Sequence, residues 1–121
     1  GAGDQGIMFG YACKDTDSLM PAPIHYSHQI LLKMAELRKN GTRNEFEPDS
    51  KSQVTMLYKN GKPSKVTSVV VSTQHKEGLT PNQIKEVVKP IVDEIFSFSF
   101  LHFCLISGAS IPSSLILYLE I

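Results

Sequence analysis

Two short segments hold the residues of this chain best suited, by type and spacing, to chemistry. Gly1 to Gly6 (GAGDQG) places a carboxylate, Asp4, and a carboxamide, Gln5, among three glycines, so the backbone can come close to a ligand. A carboxylate there can meet an ammonium or sulfonium cation through a charge-assisted hydrogen bond. The plainer reading is a turn aspartate bonded to its own backbone. The second segment is Pro48-Asp49-Ser50-Lys51. Lys51 is a point charge suited to phosphate oxygens, Asp49 is an acceptor two residues away, and together they can hold opposite ends of one polar ligand. The plainer reading is a solvated surface pair that contributes little.

Other candidates carry less. Gly1, Gly3 and Gly6 match the G-x-G-x-x-G spacing, but that pattern needs a helix to follow it. Here Ile7, Phe9 and Tyr11 alternate with Met8, Gly10 and Ala12 at the period of a strand, so the dinucleotide reading fails. His75 closes a strand beside Gln74, where a lone histidine is expected to be structural rather than a general base. His25 and His28 have an i, i+3 spacing compatible with metal, but no carboxylate or cysteine completes a ligand set, so no metal site is assigned. Met8, Met20, Met34 and Met56 read as core or interface filler.

The elements that position these residues follow from periodicity. Asp15 to Pro23 is a polar loop feeding a helix, with Pro23 in its first turn. The helix buries a face centred on Leu31 and Ala35 and widened by Ile30, Met34 and Leu37, carries Arg38 and Lys39 at its end, and stops at Gly41. Thr42 to Ser50 reads as a polar loop. Val54, Met56 and Tyr58 then alternate with Gln53, Thr55 and Leu57 up to Asn60-Gly61, a hairpin turn, and Val66 to Ser72 returns as a second strand. Thr80 and Gln83 form a capping box opening a helix with Ile84, Val87, Val88, Ile91, Val92 and Ile95 on one face, which Pro90 is expected to kink or end. The order is strand, helix, strand, strand, helix, with one more strand needed. This predicts an α+β fold, a split β-α-β-β-α-β two-layer unit with a mainly antiparallel sheet and helices on one face.

A chain of 121 residues, 41% hydrophobic, has room for one modest core. Twelve basic residues balance twelve acidic ones, so nothing points to nucleic acid or an anionic membrane. Cys13 and Cys104 lack metal-ligand spacing and are expected to be two buried thiols in a reducing compartment. No secretory signal opens the chain, so the expected location is cytoplasmic. A first residue other than methionine suggests a piece of a longer protein.

Gly1 to Tyr11 (GAGDQGIMFGY) closely resembles the signature of the S-adenosylmethionine synthetases, or methionine adenosyltransferases. Met20 to Pro23 (MPAP), Ala35 to Gly41 (AELRKNG), Pro48 to Val54 (PDSKSQV) and Val71 to His75 (VSTQH) follow in the order of that family's central domain. The resemblance covers residues 1–95. It implies an enzyme joining ATP and L-methionine, in which the methionine sulfur attacks the ribose C5′ and tripolyphosphate is released and then hydrolysed to phosphate and diphosphate. It implies Mg²⁺ and K⁺ as cofactors and a homo-oligomer, dimer or tetramer, with the active site between two subunits. It also implies that Asp4 is catalytic and with Gln5 lines the methionine and adenosyl pocket, while Asp49, Ser50 and Lys51 contact ATP. Glu47 stands where the family has an arginine. The metal ligands and the remaining catalytic groups of the family lie in other segments, so this chain alone is expected to be inactive. The alternatives are a non-catalytic remnant that binds an intact subunit, and the product of a degraded gene.

From Phe96 the composition changes. No Lys or Arg follows it and Glu120 is the one formal charge. Residues 96–121 are therefore read as a divergent apolar tail, from a shifted frame or a truncation. A membrane anchor fits the length, but six serines, Gly108 and Pro112 argue against it.

Overall fold

The computed structural model describes residue 3, residues 5–107 and residues 116–120, with side chains as far as residue 96. The elements run α1 (Ala22–Lys39), β1 (Phe46–Lys59), β2 (Lys62–His75), α2 (Pro81–Ser107) and β3 (Ile116–Glu120). They form an α+β domain with a three-stranded sheet in the order β1-β2-β3. β1 and β2 are antiparallel, whereas β3 lies parallel to β2 from Ser68↔Ile116 to Ser72↔Glu120.

The hairpin turn between β1 and β2 follows directly from its two residues. Asn60 and Gly61 both have positive φ, 52° and 71°, as a two-residue turn matched to strand twist requires, and Lys59 pairs with Lys62 across it. β1 starts earlier than expected. Residues 46–50, read from sequence as loop, belong to the strand because Phe46, 3% exposed, pairs with His75 at the far end of β2. Pro48 is tolerated there because the pairing is irregular: β1 advances from Phe46 to Ser50 while β2 retreats only from His75 to Thr73. A residue without an N–H belongs in such a bulge.

One face of the hairpin is covered by the helices. α1 buries Ala22, Tyr26, Ile30 and Met34 at four-residue spacing, so its buried face centres one position before the expected Leu31 and Ala35. Gly41, at φ 76°, ends the turn after α1, its N–H bonded to the Arg38 carbonyl at 3.2 Å. α2 opens with the expected reciprocal cap. The Thr80 N–H donates to Gln83 Oε1 at 2.9 Å and the Gln83 N–H donates to Thr80 Oγ1 at 3.4 Å. Pro90 does not end α2. Ile84 and Val88 before it, and Ile91, Val92 and Phe96 after it, are all buried against the sheet and α1. Burying five large side chains, each contributing about 1.5–3 kcal/mol, outweighs the roughly 3 kcal/mol cost of an interior proline. The composition break at residue 96 thus falls inside α2, where the Phe96 ring packs on Tyr26 with centroids 5.4 Å apart.

The expected first strand is not formed. Residues 5–13 have no sheet pairing, and Ile7, Met8, Phe9 and Tyr11 are 83%, 96%, 94% and 76% exposed. Met8 is therefore no core filler, whereas Met34 is buried and Met56 packs against the core. Cys13 is a half-exposed free thiol rather than a buried one, and the Cys104 side chain lies outside the described residues. Among the described residues no helix is long and apolar enough to cross a membrane.

Candidate functional site

The strand alternation of β1 sorts the second polar segment onto two faces. Asp49 and Lys51 are exposed on the side of the sheet away from the helices, in line with Gln53 and Thr55. Ser50 is half-buried on the helix side, with its hydroxyl 2.7 Å from that of Thr73 across the strand pair. Thr73 directs its own proton at the Gln74 carbonyl at 3.2 Å, so the proton shared with Ser50 is supplied by Ser50. Asp49 and Lys51 thus stand as an anion and a cation on an open surface, while Ser50 has its donor committed inside. Beneath this end lies a cavity of about 210 Å³ between α1 and the start of β1, lined among others by Met34, Arg38, Glu47 and Pro48. Glu47, where the family resemblance implies an arginine, thus shares that cavity with the guanidinium-bearing Arg38.

The first polar segment is only partly in view. Gln5 is exposed, and Asp4 lies outside the described residues. Nothing described brings Gln5 into contact with Asp49, Ser50 or Lys51.

A second cluster, absent from sequence reasoning, sits at the opposite end, where the hairpin tip meets the start of α1. One oxygen, Asp15 Oδ2, accepts the Ala22 N–H at 3.2 Å and the Tyr58 hydroxyl at 2.6 Å. Asp15 thereby serves the first turn of α1, which has no side-chain cap from Pro21. Burial pushes the Tyr58 phenol far above its ordinary range, helped by the hydrogen bond and charge of Asp15, so Tyr58 remains a donor at any physiological pH. Tyr11, Cys13, Lys14, Gly61 and Lys62 line the open cleft of about 520 Å³ around this pair. The contact spans 43 residues of sequence, so only the folded chain reveals it.

Two of the histidines have local partners. Thr16 Oγ1 donates to the Met20 carbonyl at 2.8 Å, so the Ser18 hydroxyl supplies the proton of the 2.9 Å Thr16–Ser18 bond. The 2.9 Å bond between Ser18 and His25 Nδ1 is then donated by the ring, which fixes the Nδ1–H tautomer. Burial lowers the His25 pKa below the ordinary 6.5, as does His28, against an opposing pull from Asp17. The native state therefore binds this proton less readily than the unfolded chain. Its contribution to stability is complete above pH 6.5 and is lost as pH falls from there through the lower folded value. Urea midpoints measured from pH 8 to pH 5 should drop more steeply in the wild type than in His25→Gln; equal slopes would rule this out. His75 Nδ1 meets the Lys76 carbonyl at 2.9 Å, a structural contact. Among the described residues no three of His, Cys, Asp and Glu stand close enough to hold a metal ion, so these side chains alone do not fit Mg²⁺.

Fold and site together define a two-layer α+β domain that offers an exposed cation and an exposed anion, two residues apart, at one end of an open sheet face. The family model described as S-adenosylmethionine synthetase, central domain, matches residues 1–103, and the chain belongs to that family. It is 70% identical over 95 residues to the S-adenosylmethionine synthase of Maricaulis maris, a match covering 78% of this chain and 24% of that protein. Over 95 residues it is 63% identical to the synthase of Parvibaculum lavamentivorans, with the same coverage. Against the synthase of Pelagibacter ubique it is 57% identical over 101 residues, covering 84% of this chain and 26% of that protein. The chain spans about a quarter of the length of these curated relatives.

Proposed function

We propose that this chain is the central segment of an S-adenosylmethionine synthase, an enzyme that forms S-adenosylmethionine from ATP and L-methionine with release of phosphate and diphosphate. The observation that carries the proposal is the family match over residues 1–103, which includes both polar segments. The reaction must stabilise a polyphosphate leaving group on one side of the ribose C5′ and a developing sulfonium on the other, so groups of opposite charge are needed on the two sides. Lys51 has the sign for the phosphate oxygens, with Asp49 accepting from the nucleotide and Ser50 bracing the strand between them. Asp4 has the sign for the sulfonium, with Gln5 beside it in the methionine and adenosyl pocket. Mg²⁺ and K⁺, which would offset phosphate charge, belong to this reading as ions held by segments outside this chain. So do assembly as a homo-oligomer and a cytoplasmic location.

The isolated chain is expected to show no methionine-dependent formation of tripolyphosphate from ATP, because it carries only part of the required charge. A chimera of the Maricaulis maris synthase, in which residues 1–95 replace the matching stretch, is expected to be active. Turnover by the isolated chain, or a folded chimera with no activity, would overturn the reading. An inactive chimera that still joins wild-type subunits would instead favour the remnant that binds but does not turn over, a reading that Glu47 in the cavity wall supports.

A further inference from the structure

The cleft at the hairpin tip has no part in the synthase reading. It lies at the far end of β1 from Lys51, since Lys59 is eight strand residues further on, roughly 27 Å at the rise of an extended strand. The segment that forms the tip, Tyr58 to Lys65 (YKNGKPSK), carries three lysines and no acid. Lys62 lines the cleft, Lys14 lines it from the loop before α1, and Lys59 stands directly across the strand pair from Lys62. Like charges placed opposite one another destabilise a strand pair. Among the described residues none of these lysines has an ion pair to offset that repulsion. Asp15, the acid in the lining, is engaged by the Ala22 N–H and the Tyr58 hydroxyl.

Two aromatic rings stand in the same lining. Tyr58 is held in place by its bond to Asp15, while Tyr11 is 76% exposed and has its ring open to a ligand. A tyrosine ring stacks on any flat nucleobase, because every base has a π-face, and lysine ammonium groups hold phosphate oxygens as point charges. The cleft volume of about 520 Å³ falls within the roughly 300–1,000 Å³ of small-molecule sites, more room than a lone phosphate fills. The whole chain is neutral, so the lysine cluster is a local feature and not the footprint of a long polyanion. We propose that the cleft between the hairpin tip and the start of α1 binds a nucleoside polyphosphate, its phosphates on Lys14 and Lys62 and its base on Tyr11, at a site separate from Lys51. The bound phosphates offset the repulsion between Lys59 and Lys62, so the ligand stabilises the hairpin tip and, through the Asp15–Tyr58 bond, the start of α1.

Titration of the full chain with ATP and with inorganic tripolyphosphate tests the site, with amide NMR shifts as the readout and Lys51→Ala as the background that removes the other phosphate candidate. ATP should shift amides near residues 13–14 and 61–62 and bind at least fivefold more tightly than tripolyphosphate. Adding Lys62→Gln should weaken ATP at least tenfold, and adding Tyr11→Ala should bring ATP down to the affinity of tripolyphosphate. Equal binding of the two probes, shifts confined to residues 49–51, or no change with Lys62→Gln would each overturn the proposal. Urea unfolding gives an arm that does not depend on the NMR. Without ligand, Lys62→Gln should unfold at a higher urea concentration than its Lys51→Ala parent, because one of two opposed charges is gone, and it should lose most of the rise in midpoint that ATP gives the parent. An equal ATP-dependent rise in both chains would sink the assignment. The outcome is independent of the chimera's activity, so this site and the synthase reading stand or fall separately.

Discussion

Replacing Lys51 by alanine in the active chimera should lower turnover by about 10²–10³, the usual cost of removing one preorganised charge-stabilising donor at a reacting centre. The geometry makes the expectation selective. Lys51 is exposed on the open face of β1, with no ion pair among the described residues, so its ammonium is available to phosphate oxygens. Ser50, its neighbour, has its proton engaged by Thr73 on the other face, so Ser50→Ala should lower turnover by less than about tenfold, the scale of one modest hydrogen bond. Steady-state kinetics of both variants with ATP and methionine measure the contrast. Equal losses would mean that strand geometry, not the Lys51 charge, carries the effect. Lys51→Arg, which keeps charge but changes shape, should retain part of the rate.

Ile84→Ala should be the most damaging conservative change to the fold, costing about 2–5 kcal/mol. Ile84 is fully buried, and it stands one turn into α2 where it also anchors the cap: Leu79 before Thr80 and Ile84 after it occupy the two positions of a hydrophobic staple, and both pack in the core. Small domains are stable by roughly 5–15 kcal/mol, so the loss is a large share of the total. Ile7→Ala, chemically similar but at an 83% exposed position, should change stability by less than about 0.5 kcal/mol. Urea denaturation of the two variants decides, and similar midpoints would contradict the burial pattern.

Local chemistry was legible in the sequence wherever the residues concerned satisfy one another. Asn60-Gly61 turns the hairpin with its own backbone angles, Thr80 and Gln83 cap α2 reciprocally, and Gly41 takes the left-handed conformation that ends α1. Errors arose where a distant partner decides. Phe46 to Ser50 looks like a loop because Pro48 interrupts it, yet the pairing of Phe46 with His75 makes it a strand. Ile7 to Tyr11 has the right period for a strand, but a strand also needs an edge, and β3 occupies that edge. Pro90 argues for a break that the buried residues on both sides of it override. The candidate site divides the same way. Asp49 and Lys51 were legible by residue type, the separation of Ser50 from them follows from strand alternation, and the Asp15–Tyr58 contact joins residues too far apart for any spacing rule.

That contact has a consequence for how the domain breathes. A single carboxylate oxygen holds both the opening turn of α1 and the end of the β1–β2 hairpin. Movement of Asp15 releases both bonds at once, so the helix start and the hairpin tip are coupled through one side chain rather than opening as two independent ends. Amides near residue 22 and near residue 60 should exchange at matched rates in the wild type, and Tyr58→Phe should quicken both.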